Sequence, residues 1–256
     1  MNNTQVYPVK AFRDNYIWTI HNETHAVVVD PGESQPVIDF LKSKKLNLLA
    51  ILITHHHPDH IGGIKNLTDR QDIPVYGPKT ETIPSITHKL VEGDSVCLSA
   101  LDMTLKVLDI PGHTAGHIAY VDDHRLFCGD TLFSCGCGRI FEGSPPQMFH
   151  SIEKLTALPD STNVYCTHEY TLSNIKFARI VEPDNKDLEN YEKIVEHKLA
   201  NKQVSLPTSI GLEKTINPFL RCKEPKVIQA AQTQSKTPVS NEIEVFATIR
   251  SWKDKF

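Results

Sequence analysis

The sequence predicts an α+β protein whose strands lie in the first two thirds of the chain and whose last third is helical. Short runs of β-branched and apolar residues, each followed by turn residues, recur as far as residue 166. After residue 171, apolar residues recur instead at helical spacing. A length of 256 residues allows either one large domain or a domain with a smaller one beside it. We therefore expect a strand-rich domain over residues 1–170 and a helical domain over residues 171–256.

The individual elements follow from the same patterns. Residues 4–30 are expected to form a β-meander, and a short helix is expected after Gly62. The last helix should begin with Thr237 as its N-cap and Pro238 at its first position. The predicted strands cover residues 16–20, 26–29, 48–53, 75–76, 87–90, 95–98, 103–108, 118–121, 125–128 and 163–166. The predicted helices cover residues 34–45, 146–157, 172–181, 184–202, 225–233 and 239–254.

A histidine-rich stretch, THHHPDH at residues 54–60, directly follows a buried apolar run. In an extended backbone, alternate side chains point to the same side, so His55, His57 and Asp59 can converge, and the turn brings His60 round to join them. Imidazoles and carboxylates are ligands of zinc, iron and manganese. A solvated polar loop is the alternative, but it would leave many like donors crowded together. The pattern therefore favours a metal site.

Later strands end in the same kinds of side chain. The sequences Pro-Gly-His, Gly-Asp and Thr-His place His113, Asp130 and His168 at strand ends. Catalytic and binding residues commonly lie on the loops that follow strands. Five histidines and two aspartates exceed the four ligands of one tetrahedral zinc and fit two metal ions that share a bridge. The predicted ligands are His55, His57, Asp59, His60, His113, Asp130 and His168.

The ligands divide into two expected sites. One site would use His55, His57 and His113, and the other would use Asp59, His60 and His168, with Asp130 as the natural bridge because a carboxylate has two oxygens. The remaining neighbours His56 and His117 are interpreted as supporting residues, since strand alternation points His56 away. Asp30, at the end of an earlier strand, can support a metal-bound histidine or simply form an Asp-Pro-Gly turn.

Such a pair of metal ions predicts hydrolysis. Two metal ions about 3.5 to 4 Å apart can hold a hydroxide between them, because metal binding lowers the pKa of water to about 7. We expect Asp59 and Asp130 to act with this bridging hydroxide on an ester-like bond. No serine nucleophile is needed, and the sequence contains no Gly-x-Ser-x-Gly motif.

The motifs resemble a known family. The stretch at 54–60 matches the HxHxDH signature of the metallo-β-lactamase superfamily, whose fold is an αββα sandwich. Four further segments resemble the glyoxalase II (hydroxyacylglutathione hydrolase) family, which adds a C-terminal helical domain. These segments are PGHTAGH at 111–117, LFSCGCGRIFEG at 132–143, THEYT at 167–171 and RSWK at 250–253.

The resemblance implies a reaction and a substrate site. The expected reaction is hydrolysis of S-D-lactoylglutathione to glutathione and D-lactate, the second step of methylglyoxal detoxification, by attack of the bridging hydroxide. Some relatives have Lys-x-Tyr where this chain has Arg139-Ile140-Phe141, so the charge is kept and one phenol is missing. The substrate-binding positions that the resemblance implies are Arg139, Phe141, Tyr170, Arg250 and Lys253.

Arg250 has support from the helical pattern as well. On a helix it shares a stripe with Ile243, Phe246 and Ala247, which should face the protein body. An arginine on an inward face needs a partner, and Lys253 is its neighbour on that face. A solvated C-terminal helix end is the alternative.

Composition and charge limit the kinds of partner and the cellular location that we expect. A net charge of −4 provides no basic surface for nucleic acid, and no apolar run approaches the roughly 20 residues that span a bilayer. The N-terminus lacks the features of a signal peptide, and six cysteines without a CxxC pair indicate reduced thiols. We expect a cytoplasmic monomer that binds a small molecule and two divalent metal ions, zinc first, although iron and manganese suit the same ligands.

Three other functions use the same residues. A nuclease on this metal core would need a basic surface or an RNA-binding arm. A di-iron redox protein would typically replace the second histidine of the cluster by glutamate, and His57 is intact. In a metal-binding scaffold without activity, some ligand residues would usually be replaced, whereas all seven are present in this chain.

Overall fold

The structure is a computed structural model that describes residues 4–69, 72–235 and 237–256. It divides into two compact units. The first unit comprises residues up to 109 together with 114–129, and the second comprises 110–113 and 130–256. The sequence-based division at residue 170 places the boundary elsewhere and stays a prediction.

The first unit contains a mixed six-stranded sheet. Its first three strands are antiparallel, which confirms the predicted meander, and the later pairs are parallel. Val27–29 and 51–53 are buried on both faces of the sheet, as expected for a parallel region that is covered on both sides. In order across the sheet, the strands are β1 (Gln5–Ala11), β2 (Asn15–His21), β3 (His25–Val29), β4 (Asn47–Leu52), β5 (Val75–Pro78) and β6 (His88–Leu90).

Three helices of the described part of the chain are connected to the strands of this sheet. Helix α1 (Ser34–Lys44) connects β3 to the parallel strand β4, and its Val37 lies in the core beside Ile51 and Ile64. Two short helices, α2 (Pro58–Ile61) and α3 (Ile64–Thr68), follow β4. The histidine-rich stretch therefore occupies the turn between a buried strand and a helix start.

A second layer of antiparallel strands completes the first unit. It consists of β7 (Ser95–Leu98), a 3-10 turn (Ser99–Leu101), β8 (Met103–Asp109), β9 (Ile118–Val121) and β10 (Arg125–Gly129). The Tyr120 hydroxyl on β9 donates to the Ile53 carbonyl at 2.9 Å, and the Ile118 amide donates to the Thr54 carbonyl at 3.0 Å. These bonds tie the second layer to the end of β4, where the predicted ligands begin.

The second unit is mainly helical. It contains two short strand pairs, β11 (Leu132–Phe133) with β12 (Gly136–Cys137) and β13 (Asn163–Cys166) with β14 (Thr208–Ser209). Strand β14 and helix α7 were not predicted, although Ser209 caps α7 by accepting from the Leu212 amide at 3.2 Å. The helices are α4 (Pro145–Thr156), α5 (Thr171–Val181), α6 (Lys186–Ala200), α7 (Ile210–Ile216), α8 (Pro225–Gln234) and α9 (Glu242–Lys253).

The predicted start of the last helix is wrong. Helix α9 begins at Glu242, and Asn241, not Thr237, is its N-cap. The Asn241 side chain accepts from the Glu244 amide at 3.0 Å, and the Glu244 carboxylate accepts from the Ser240 amide at 2.6 Å. The first bond satisfies an amide in the first turn of the helix, the second satisfies the amide just before the N-cap, and Pro238 lies outside the helix. Among the described residues, no helix is long and apolar enough to cross a membrane.

Candidate metal centre and substrate site

The first unit gathers four of the predicted ligands at the end of β4. The His55 and His57 rings approach to 3.1 Å between Nε2 and Nδ1. Pro58 then starts α2, which places Asp59 and His60 in the first helical turn, with 3.5 Å between the Asp59 Oδ2 and His60 Nε2 atoms. Strand alternation therefore predicted the His55–His57 pair, and the helix start supplies the other two side chains.

Asp30 organises the histidines from the end of β3. Its carboxylate accepts from the Thr54 amide at 2.8 Å and from the Thr54 hydroxyl at 2.7 Å, and it lies 3.0 Å from His60 Nδ1. The ligand atoms of Asp30, His55 and His60 all lie within 4.8 Å of one another. Both interpretations of Asp30 fit, because it ends a strand and also supports a predicted ligand.

These bonds fix which ring nitrogens can bind a cation. A carboxylate only accepts, so His60 Nδ1 carries the proton and Nε2 carries the lone pair. The Thr54 hydroxyl donates its proton to Asp30, so its oxygen accepts from His55 Nδ1, 3.0 Å away. The Nε2 atoms of His55 and His60 are therefore available as metal ligands. This donor chemistry fits a divalent metal ion.

His117 supports the site by packing. Its ring stacks on His55 with centroids 4.5 Å apart, and its Nδ1 lies 3.1 Å from the Ile118 carbonyl oxygen. Gly129 has φ +49°, and a Cβ there would lie 2.4 Å from the Thr54 hydroxyl and 2.8 Å from the His117 ring. Glycine is thus required where β10 turns towards Asp130.

Two residues that support the predicted ligands and motifs of the first unit were missed by the sequence analysis. Asn15 Nδ2 donates to Asp59 Oδ2 at 3.0 Å. Glu81 is buried, and its Oε1 accepts from the Thr114 hydroxyl and from the Gly116 amide, while burial raises the pKa of its carboxyl group. Neither residue lies in a recognised motif or at a spacing that predicts a contact with the site, so the sequence alone could not identify them.

The second unit holds the other three predicted ligands. The Oδ2 atom of Asp130 lies 3.6 Å from His113 Nε2 and 3.2 Å from His168 Nε2. His113 Nδ1 donates to the Arg139 carbonyl at 2.7 Å, which leaves the Nε2 lone pair for a metal ion. Tyr170 stacks on His168, with ring centroids 4.6 Å apart and planes 1° apart. One carboxylate oxygen thus lies between two imidazoles.

The second unit also contains all five residues proposed for substrate binding. Arg250 is 6% exposed; it donates to the Cys137 carbonyl at 2.7 Å and pairs with Asp254 Oδ1 at 3.1 Å. Arg139 Nε reaches the same Asp254 oxygen at 3.2 Å. Lys253 donates to the Asn174 side-chain oxygen. Three cations therefore cluster around one carboxylate and one amide.

The aromatic members of the set are accessible. Phe141 is 59% exposed and meets the His113 ring edge-on at 5.3 Å, and Tyr170 is 38% exposed. The guanidinium of Arg139 lies 5.9 Å from the centre of the Phe141 ring. Exposed rings beside predicted ligands leave room for a small molecule to approach them.

The predicted stripe on the last helix is right in part. Phe246 and Arg250 are buried, but Ile243 and Ala247 are only half-buried, and Val245 and Ile249 complete the inward face. Asp254 was missed, although its spacing four residues after Arg250 is the signal of a helical ion pair. Asn174 was missed because a single asparagine in a helix carries no such signal.

Comparisons with known proteins identify the family. The family model described as "Metallo-beta-lactamase superfamily" matches residues 12–168, and "Hydroxyacylglutathione hydrolase C-terminus" matches residues 169–256. The hydroxyacylglutathione hydrolase of Nitrosomonas europaea is 54% identical over 251 residues, which cover 98% of this chain and 96% of the relative. This chain belongs to the hydroxyacylglutathione hydrolase family. The Vibrio cholerae hydroxyacylglutathione hydrolase is 49% identical over 254 residues, 98% of this chain and 99% of the relative.

Solved structures agree with the assignment to the metallo-β-lactamase superfamily. The BLEG-1 B3 metallo-β-lactamase aligns with a TM-score of 0.62 and 26% identity over 85% of this chain and 99% of that chain. TTHA1623, solved in a di-iron-bound form, aligns with a TM-score of 0.59 and 27% identity over 84% and 100%. The predicted metallo-β-lactamase fold is confirmed.

Proposed function

We propose that this protein is a thioester hydrolase that converts S-D-lactoylglutathione and water to glutathione and D-lactate, the second step of methylglyoxal detoxification. The observation that carries the proposal is the identity of about half of all residues, along nearly the whole chain, with relatives named hydroxyacylglutathione hydrolase. The match extends through the C-terminal helices. Related S-(2-hydroxyacyl)glutathiones share the groups that the site would recognise.

The seven predicted ligands are proposed to hold two divalent metal ions. His55, His57 and His113 would bind one ion, Asp59, His60 and His168 would bind the other, and Asp130 would bind both. The superfamily match, a relative with two irons and the position of Asp130 between two imidazoles support this arrangement. Zinc is the proposed metal, with iron and manganese as alternatives for the same ligands.

The metal ions would supply an ionised water at neutral pH and polarise the thioester carbonyl. The chain's own residues prepare this chemistry. Asp30 and Thr54 hold His55 and His60 in the metal-binding tautomer. Asn15 donates to one oxygen of the Asp59 carboxylate and so orients this side chain. A thiolate is a good leaving group, so the site needs no strong acid.

The second unit would bind the glutathione part. Glutathione carries two carboxylates, which charge-assisted hydrogen bonds from arginine and lysine recognise. Arg139, Arg250 and Lys253 supply these cations. The exposed Tyr170 adds a phenol beside His168, and Phe141 offers a ring face in place of a second phenol.

We also propose that the protein is a monomer that acts in the cytoplasm. Within the residues that the structure describes, which include all six cysteines, no disulfide forms, and this supports a reducing compartment. Cytoplasmic glutathione would then be both the thiol released and the surrounding redox buffer.

A thiol-release assay with S-D-lactoylglutathione tests the function. We expect turnover by the metal-loaded protein, its loss after chelation, and its return when zinc is added back, with metal analysis giving about two ions per chain. The variant His57→Ala should lose activity, whereas His150→Ala, at an exposed position on α4, should retain it. A fully metal-loaded protein that releases no thiol would remove the assignment.

A further inference from the structure

We propose that Asn174 is a positioning residue for the substrate carboxylate: its neutral side-chain amide holds the Lys253 ammonium in place without neutralising its charge. This inference rests on the proposed glutathione site and adds a residue that touches neither the metal ligands nor the thioester. It assigns a task to a buried polar side chain on the first turn of α5.

The bonds of Asn174 fix its orientation. The residue is 2% exposed; its Nδ2 donates to the Ser134 carbonyl at 2.9 Å, and its Oδ1 accepts from the Lys253 ammonium. A carbonyl only accepts and an ammonium only donates, so each end of the amide has a single suitable partner. An asparagine satisfies both partners at once.

The neighbouring hairpin is shaped to allow this contact. Gly136, in β12, has no side chain, and a Cβ there would lie 2.7 Å from the Cγ and Nδ2 atoms of Asn174. The amide therefore packs directly against the hairpin backbone. Its position is fixed by the close approach of Gly136 as well as by its hydrogen bonds.

The charges around Lys253 explain why the acceptor is neutral. Arg139 and Arg250 both pair with Asp254, so two of the three cations already share a carboxylate. Of the ion pairs seen within residues 4–69, 72–235 and 237–256, none joins Lys253 to an acidic side chain. The full charge of Lys253 thus remains for an incoming anion.

The surroundings of Lys253 strengthen an interaction with an anion. The ammonium lies 5.8 Å from the centre of the Phe219 ring, whose face also lies 5.3 Å from the Arg250 guanidinium. Burial, together with the nearby Arg250 charge, lowers the pKa of Lys253 to about 8. A bound carboxylate would offset both effects, so ligand binding gains from this arrangement.

Two substitutions of Asn174 test the hydrogen-bond acceptor and its lack of charge. Asn174→Ala removes the acceptor, and Asn174→Asp keeps an acceptor oxygen but adds a negative charge that pairs with Lys253. For both metal-loaded variants we expect the Kd of glutathione and the KM of S-D-lactoylglutathione to rise by about tenfold, with kcat little changed. Asn190→Ala, at an exposed position on α6, is the matched control and should leave both constants unchanged.

A second substrate tests whether the effect passes through the carboxylate. S-D-lactoyl-N-acetylcysteamine is a thioester without carboxylates, and its kcat/KM should be the same in the wild-type protein and in both variants. In the background of Lys253→Ala, adding Asn174→Ala should cost nothing further, because the two residues act as one unit.

The outcomes distinguish this inference from the proposed function. If the wild-type protein neither binds glutathione nor hydrolyses its thioester, the proposed function fails. If the wild-type protein does both, but Asn174→Asp binds glutathione equally well, the inference is overturned. Equal loss with both thioesters would also overturn it, since that result indicates a merely structural role.

Discussion

At the scale of single residues, the chain uses charge and neutrality differently in its two units. In the first unit, the Asp30 carboxylate orients Thr54 and His60 by accepting hydrogen bonds from them. In the second unit, the amide of Asn174 orders Lys253 without cancelling its charge. An anionic side chain thus orients one predicted metal ligand, whereas a neutral amide orients a proposed substrate-binding cation.

The lowered pKa of Lys253 predicts a pH dependence of substrate binding. Because the pKa of this ammonium is about 8 and not the usual 10.5, the cation is present below pH 8 and is lost as the pH rises above it. The Kd of glutathione should therefore rise between pH 7 and pH 9. Titration calorimetry at fixed ionic strength measures this change.

The matched variant for this prediction is Lys253→Arg. Arginine stays charged throughout this range, so the variant should bind glutathione with a nearly flat pH profile, even if its affinity is lower. If the wild-type and arginine proteins weaken in parallel, another group is responsible and the role of Lys253 is contradicted.

At the scale of elements, helix α7 holds the hairpin of β11 and β12 in place. Its Glu213 is fully buried and accepts from the Ser134 hydroxyl at 2.9 Å and the Cys135 amide at 2.8 Å. Asn217 donates to the Phe133 and Gly136 carbonyls at 3.1 and 2.9 Å. The hairpin joins Asp130 to Arg139 along the chain, so α7 supports both the proposed metal and substrate residues.

Removal of the Glu213 carboxylate should therefore destabilise the protein. Glu213→Ala leaves several buried donors without an acceptor, and we expect a loss of about 3 to 5 kcal/mol in the free energy of unfolding. Glu213→Gln keeps the shape, and the Ser134 and Thr208 hydroxyls can turn to accept from its amide, so its loss should be about 1 kcal/mol. Urea denaturation measures both values.

The pH dependence gives a further check on Glu213. Burial raises the pKa of this carboxyl group above its usual 4.5, so the folded state binds a proton more readily than the unfolded state. Wild-type stability should consequently be higher below pH 4.5 than above the folded pKa, relative to the glutamine variant. A deficit of the glutamine variant that stays constant with pH would contradict a titrating buried glutamate.

The sequence predicted those elements whose cause is local. The fully apolar run at 48–53 and the alternating residues at 103–108 predicted their strands, and the 54–60 motif predicted four ligands, which stay a prediction. The predicted start of α9 was wrong because Thr237-Pro238 and Asn241 are both possible caps. The hydrogen bonds from the Glu244 amide to Asn241 and from the Ser240 amide to the Glu244 carboxylate decide between them. Helix α7 was missed because its role lies in Glu213, which is buried only by distant partners.

At the scale of the whole molecule, each compact unit contains part of the predicted ligand set. Four predicted ligands belong to the first unit, and His113, Asp130 and His168 belong to the second. The motifs and the family pattern predicted this set, but Asn15, Glu81 and Asn174 could not be predicted, since their contacts join residues that are far apart in the chain.

Removal of the metal ions should lower the thermal stability. Ligands that bind only the folded state stabilise it by mass action, by about 4 kcal/mol when the ion is present at a thousand times its Kd. For a protein of this size, this corresponds to a fall in Tm of about 10 °C after chelation. Calorimetry should show that Tm recovers when zinc is added.

The variant Asp130→Asn lacks the carboxylate charge of the proposed bridge, so chelation should shift its Tm much less. An equal shift in the variant and the wild-type protein would argue against a bridge.

The placement of the thiols has a practical consequence. Cys97, on β7, is exposed, whereas the other five cysteines are buried, and burial raises the pKa of Cys135, Cys137 and Cys222. Maleimide chemistry requires an accessible thiolate. A fluorophore would therefore attach to the native chain at one defined strand of the first unit, leaving every proposed ligand and substrate-binding side chain unmodified and providing a ready probe for single-molecule work.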